Sequence, residues 1–156
     1  MAFEFPPIDM LLPHAKPMIL LDRVVYRDAA RIITEVDIRP EIPFFVPGQG
    51  IAAHVTLEYM AQSCGAFVGA LAMESGKPVR VGFLLGTRDF ISRVAWFRSS
   101  DVLSVTAALA FQDDEMAVFD CRVAQHGQDV VTAQLTVYQP ADVAAMLASQ
   151  GIGSTI

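Results

Sequence analysis

Along residues 51–73, IAAHVTLEYMAQSCGAFVGALAM, apolar and small side chains fall on every face of a helical wheel. The strongly polar exceptions are His54, Glu58 and Gln62, spaced four apart. That spacing sets them on one stripe of a single helix, drifting about 40° per step. A helix apolar nearly all round is one that folds into an interior, where a carboxylate is rare without a partner or a purpose. The pattern predicts a long buried helix, stopped near Ser75 and Gly76 with Pro78 just beyond.

Elsewhere the pattern favours strands. MILLDRVVYR (18–27) and RIITEVDIR (31–39), joined by DAA, read as a hairpin. PEIPFFVPGQG (40–50), with its prolines and glycines, is a loop. After the helix, VRVGFLLG (79–86) is strand-like, and VLSVTAALAF (102–111), MAVFDCRVAQ (116–125) and DVVTAQLTVY (129–138) follow as antiparallel strands. QDDE and HGQ between them have turn composition. The first of the three is ambiguous, because TAALA favours helix by propensity. PIDMLL (7–12) reads as a short helical turn halted by Pro13, and ADVAAMLASQ (141–150) as a terminal helix.

A hairpin, one long helix and a run of strands make an α+β design in which a curved antiparallel sheet wraps a central helix, the hot-dog arrangement. Ala61, Gly65, Ala66, Gly69 and Ala70 would let the sheet come close to that helix. The 156 residues fit one domain over 1–156, with a core of about 8–138 and a terminal helix and tail over 140–156.

Composition adjusts this picture in three ways. A hydrophobic content of 53% is high, yet no run is long and uncharged enough to span a bilayer, so the excess apolar surface predicts an oligomer rather than membrane insertion. MAFEFPPIDM lacks the basic and apolar regions of a signal peptide, and Cys64 and Cys121 make no disulfide framework; both point to the cytoplasm and free buried thiols. The net charge of −6 disfavours nonspecific nucleic-acid binding. Residues 77–98 nevertheless carry Lys77, Arg80, Arg88, Arg93 and Arg98 against Asp89 alone. That patch suits an anionic partner such as a phosphate-bearing carrier, although scattered solvated charges would give the same count.

The stripe carries the candidate chemistry. Apolar surroundings penalise the charged form of a carboxylate, and a carboxyl group so placed can exchange a proton at working pH. His54, one turn nearer the N-terminus, sits where the helix dipole disfavours an imidazolium. Backbone N–H groups of that first turn, near Ala53 and His54, could hold an oxyanion such as a thioester enolate. Gln62 could position Glu58 or a water. The same stripe also fits a purely structural reading, with Glu58 bonded to Gln62 or a backbone amide and His54 a satisfied core residue. His126, in QHGQ, reads as an exposed turn residue, and His14, between Pro13 and Pro17, as a loop residue able to line a site. No cluster has metal-ligand spacing, and no Gly-rich loop follows a strand to cradle a phosphate.

Three segments resemble the β-hydroxyacyl-(acyl carrier protein) dehydratases: LLPHAKPMILLDRVV (11–25), HVTLEYMAQSCG (54–65) and SRVAWFRSSDVLSV (92–105). The resemblance implies a hot-dog fold and loss of water from a 3-hydroxyacyl thioester carried on phosphopantetheine, with no metal or other cofactor. It implies Glu58 as the catalytic acid or base, Gln62 as its neighbour, amides near Ala53 as the oxyanion site, and Phe44 and Phe45 near the substrate. In the family a loop histidine about fourteen residues upstream works with the helix Glu across a dimer interface; Phe44 stands there, and the loop holds no histidine. With GFLLGTRDF (82–90), this is similar to a divergent subgroup of aryl polyene biosynthesis thought to pair with a complete dehydratase subunit. The expected partners are acyl carrier protein, docked on Lys77, Arg80, Arg88, Arg93 and Arg98, and a second subunit in a homodimer or hetero-oligomer. His54 or His14 is expected to replace the missing base. A non-catalytic subunit and an acyl thioesterase remain the alternatives.

Overall fold

The computed structural model describes residues 5–12, 18–77 and 82–139. His14, Arg80 and the helix expected over 141–150 lie outside them.

Six strands make the main sheet: β1 (Arg23–Arg27), β2 (Arg31–Asp37), β4 (Phe83–Ser92), β6 (Val102–Gln112), β7 (Met116–Gln125) and β8 (Gln128–Tyr138). Their order across the sheet is β1-β2-β6-β7-β8-β4, all neighbours antiparallel. A two-stranded ribbon pairs β3 (Ile51–Ala52) with β5 (Trp96–Phe97). A short α1 (Ile8–Leu11) and the long α2 (Thr56–Glu74) complete the fold, with α2 packed on one face of the large sheet.

The sheet is built by period-two burial. Ile32, Thr34 and Val36 of β2 point inward, as do Leu103, Val105 and Ala107 of β6, Phe119, Cys121 and Val123 of β7, and Val131, Ala133 and Leu135 of β8. In β6 this alternation overrides the helical propensity of TAALA, because two flanking strands supply partners for its backbone. The β7–β8 turn is a tight one in which His126 (φ 52°) and Gly127 (φ 77°) both take left-handed backbone, the geometry that matches strand twist.

Helix α2 presents Tyr59, Met60, Ser63, Phe67 and Ala70 to the sheet, all buried. Phe67 meets Phe119 of β7 edge to face, with ring centroids 5.6 Å apart. Such a pair contributes about 0.5–1.5 kcal/mol beyond its buried area. Thr34 and Ser63 bridge strand and helix through a 2.8 Å hydrogen bond, and the Ser63 hydroxyl also donates to the Tyr59 carbonyl. On the opposite side α1 lies against α2 so closely that a Cβ on Gly69 would stand 2.0 Å from the Leu11 carbonyl oxygen. The outer face of α2, formed by Glu58, Ala61, Gly65, Val68 and Ala72, is only half-buried.

Two sequence expectations change. The helix does not start at Ile51: residues 51–52 form β3 and Ala53–Val55 a 3-10 turn, because Ile51 and Ala52 pair with Phe97 and Trp96. The strand expected to end at Gly86 runs on to Ser92 through two register shifts and lies at the sheet edge beside β8.

Candidate active site at the start of the central helix

The loop over 40–50 ends at Gly50, whose φ of 105° and contact with Phe97 leave no space for a side chain: a Cβ would meet the Phe97 carbonyl oxygen at 2.0 Å. β3 and the 3-10 turn then deliver the chain into the first turn of α2, where Glu58 lies. Glu58 is half-buried, His54 is exposed, and Gln62 is 1% exposed.

From Glu58 to Gln62, one step of four residues advances around α2 by about 40°, from the boundary to the interior. His54, in the 3-10 turn ahead of the helix, faces solvent. The reading of His54 as a satisfied core residue is corrected: His54 lies on the outside of the turn, and no hydrogen bond joins it to Glu58 among the described residues. His126 is exposed in its turn, 3.7 Å from the Asp101 carboxylate.

Gln62 is the most completely determined polar group here. Its Oε1 accepts the buried Leu20 N–H at 2.9 Å. Its Nε2 donates to the Met18 carbonyl at 2.6 Å and to Glu58 Oε1 at 3.2 Å. The Leu20 amide can only be met by the carbonyl end of the side chain, so the NH₂ end must face Met18 and Glu58. One side chain thus latches the segment entering β1 onto α2 and holds one carboxylate oxygen of Glu58. Sequence spacing pointed to the Glu58 contact but not to the latch, whose partners lie 42 and 44 residues away.

The oxyanion reading is corrected at one atom. The Ala53 N–H donates to the Ala95 carbonyl at 2.9 Å, closing the ribbon beside β3, and is not free for a ligand. The next amide, that of His54, is the candidate donor in its place. Phe45 packs partly against the core, whereas Phe44 is turned outward with φ 70°. Of the cations expected to dock a carrier, Lys77, Arg88, Arg93 and Arg98 are exposed and form no ion pair with a described residue. Arg23, Arg27, Arg31, Arg39 and Arg122 are all paired.

Cys64 and Cys121 are buried free thiols with sulfurs 3.6 Å apart. Burial, then the neighbouring Cys121, pushes the Cys64 thiol well above its ordinary range. No group of three or more His, Cys, Asp or Glu among the described residues could hold a metal ion, and no described helix is long and apolar enough to cross a membrane. A cavity of about 410 Å³ lies at the other end of α2, lined by Val68, Leu71, Ala72, Lys77, Gln112 and Asp114 among others. Thirteen residues of helix put Leu71 about 20 Å from Glu58, too far to serve the same chemistry.

A single helix wrapped by an antiparallel sheet, with a braced carboxylate in the helix's first turn, defines a dehydratase-like hot-dog protein. The chain belongs to the ApeP-like family, described as ApeP dehydratase, which it matches over residues 6–148. Among solved structures it is similar to a chain of the dehydratase heterocomplex ApeI:P from Xenorhabdus doucetiae, at 27% identity and a TM-score of 0.87 over 94% of this chain and 99% of that one. The fold also recurs in a hypothetical thioesterase from Streptococcus pneumoniae TIGR4 solved with coenzyme A, at 13% identity and TM-score 0.60 over 76% and 84%. It recurs again in the PaaI protein of the E. coli phenylacetic acid degradation operon, at 10% identity and TM-score 0.57 over 74% and 81%. At those identities the two proteins share the architecture alone. No curated protein matches the sequence.

Proposed function

We propose that this chain supplies Glu58, braced by Gln62, to a 3-hydroxyacyl-(acyl carrier protein) dehydratase of aryl polyene biosynthesis whose site is completed by a second hot-dog subunit. The observation that carries this reading is the state of Glu58 itself. One carboxylate oxygen is held by Gln62 Nε2, the group sits half-open to solvent, and no histidine bonds to it among the described residues. It is positioned for proton transfer and, among the described residues, has no bonded base.

In the reaction, a base removes a proton from C2 of the thioester, the C3–oxygen bond breaks, and Glu58 delivers the proton with which the hydroxyl leaves as water. The C2=C3 bond of the trans-enoyl thioester forms between them. The His54 N–H, at the head of the helix, stabilises charge on the thioester oxygen.

The base is assigned to the second subunit, in keeping with the relative solved as a heterocomplex. The sheet edge supports such an assembly: β4 exposes Leu84, Leu85 and Ile91, the last two at 58% and 60%, on a strand with one side unpaired among the described residues. Arg88, Arg93 and Arg98 on and after that edge, exposed and in no ion pair with a described residue, support docking of an acidic, phosphate-bearing carrier protein. A second reading keeps the base within the chain, because His54 is exposed in the 3-10 turn that leads into the helix turn bearing Glu58.

The test is dehydration of 3-hydroxyacyl carrier-protein thioesters with and without the second subunit. Activity is expected only from the assembly, and Glu58→Gln should reduce it by two orders of magnitude or more, on the order of other general acids. Full activity in Glu58→Gln would make the chain a non-catalytic subunit. A lost histidine limb in the pH–rate profile of His54→Ala would move the base into this chain. Release of free thiol would indicate thioesterase chemistry.

A further inference from the structure

The loop between β2 and β3 carries one residue whose backbone and side chain are both unfavourable for the chain by itself. Phe44 has φ 70°, in the left-handed region that bulky side chains avoid. The other non-glycine residues with positive φ among those described are all polar: Asp89, at the register shift within β4, and Ser100 and His126 in turns. The Phe44 ring is also 56% exposed, and Val46 beside it is 41% exposed.

The surrounding loop is well built. Ile42 and Phe45 pack against the core, and the left-handed step at position 44 is what turns the intervening ring outward. The Ile42 N–H donates to Arg39 and the Phe45 N–H to Ile42, while Val46 and Gly50 exchange two backbone hydrogen bonds of 2.8 Å. Glycine or asparagine would satisfy this conformation with neither strain nor exposed apolar area. Nothing within the described chain compensates a phenylalanine there, so the compensation lies in something that covers it. A ring this exposed does not enclose an acyl group, which needs walls on several sides, and neither described cavity includes it.

We propose that Phe44, with Val46 beside it, is the anchor by which this chain docks onto the second hot-dog subunit; this rests on the assembly proposed above. The loop runs directly through β3 and the 3-10 turn to Glu58, so an anchor at this point sets the second subunit beside the catalytic carboxylate. Phe44 then acts as a preorganised hot spot, held out by backbone geometry before the partner arrives.

The experiment uses the full chain with ApeI of the Xenorhabdus doucetiae heterocomplex as the probe subunit, measuring the dissociation constant and the melting temperature of the free chain. Phe44→Gly removes the ring while relieving the backbone, so the variant is expected to melt at or above the wild-type temperature yet bind at least about 30-fold more weakly. Phe44→Tyr is expected to bind within about 3-fold of wild type. A folded Phe44→Gly chain that binds like wild type overturns the anchor and leaves the hetero-oligomer standing. Unchanged binding with a raised KM in the assembled enzyme assigns the ring to substrate and also overturns it. Failure of the wild-type chain to bind the subunit removes both the anchor and the assembly on which it rests.

Discussion

Replacing Gln62 tests whether the latch between α2 and the strand entrance is as consequential as its geometry implies. Gln62→Leu keeps the volume but removes all three hydrogen bonds, leaving the buried Leu20 N–H and the Met18 carbonyl without partners. An unsatisfied buried backbone group costs about 1–3 kcal/mol. The Leu20 amide is such a group, whereas the Met18 carbonyl is only part-buried and can turn to water, so stability should fall by about 2 kcal/mol, or roughly 4–8 °C in melting temperature for a domain of this size. Gln62→Glu is the sharper variant, because it still accepts from Leu20 but turns an oxygen toward Met18 and toward Glu58, 3.2 Å away in the native pair. At an effective dielectric near 20, two charges at that spacing repel by about 5 kcal/mol. The introduced carboxyl therefore binds its proton more tightly in the folded than in the unfolded chain. Its stability deficit should be smallest below about pH 4 and grow as the pH rises toward 7. Urea unfolding followed by circular dichroism between pH 4 and 8 measures both effects. A Gln62→Leu chain within about 0.5 kcal/mol of wild type, or a Gln62→Glu deficit independent of pH, would refute the latch.

Gly69→Ala should destabilise the chain by about 2 kcal/mol or more, since the added carbon meets the Leu11 carbonyl oxygen at 2.0 Å and backbone has to move; Gly48→Ala, in open space but at φ 81°, should lose only about 1 kcal/mol by the same unfolding assay. Cys64 and Cys121 should resist alkylation at pH 8 in the folded chain and react once it is unfolded, because burial holds the Cys64 thiol above its ordinary range; rapid native labelling read by mass would contradict this. Hydrogen bonding to the Arg23 guanidinium lowers the Asp37 carboxyl below its ordinary value. The stability so gained is present above about pH 4 and lost as the pH falls through the lowered value. Asp37→Asn should therefore lower stability by up to about 1 kcal/mol at pH 7 for so exposed a pair, and by nothing measurable at pH 2.

Period made most of the fold legible. β7 alternates from Met116 to Val123 and β8 from Val130 to Tyr138, and α2 is long and apolar enough that only its first residues were misassigned. The paired residues Ile51–Ala52 and Trp96–Phe97 were hidden, because two-residue strands carry no period and are created by their mutual pairing. The edge position of β4 was equally hidden, since strand order depends on contacts that no local window contains. Within the site, Glu58 and its neighbour Gln62 could be read from spacing. The exposure of His54 was hidden, because the stripe assumed one helix through 54–62, whereas the pairing of β3 with β5 puts His54 in a 3-10 turn ahead of α2. The occupied Ala53 amide and the Met18 and Leu20 partners of Gln62 belong to tertiary contacts and left no local trace.

The wet-to-dry order of His54, Glu58 and Gln62 has a consequence for turnover. A general acid that has given up its proton has to recover one before the next substrate arrives. Gln62 seals the inner side of Glu58 with a donor group that has no proton to lend and is occupied by backbone. The outer side opens toward the exposed imidazole and water. If Glu58 is the acid proposed above, its proton is renewed among the described residues through the half-open face rather than past Gln62, so recharging the acid and releasing the product would share one doorway.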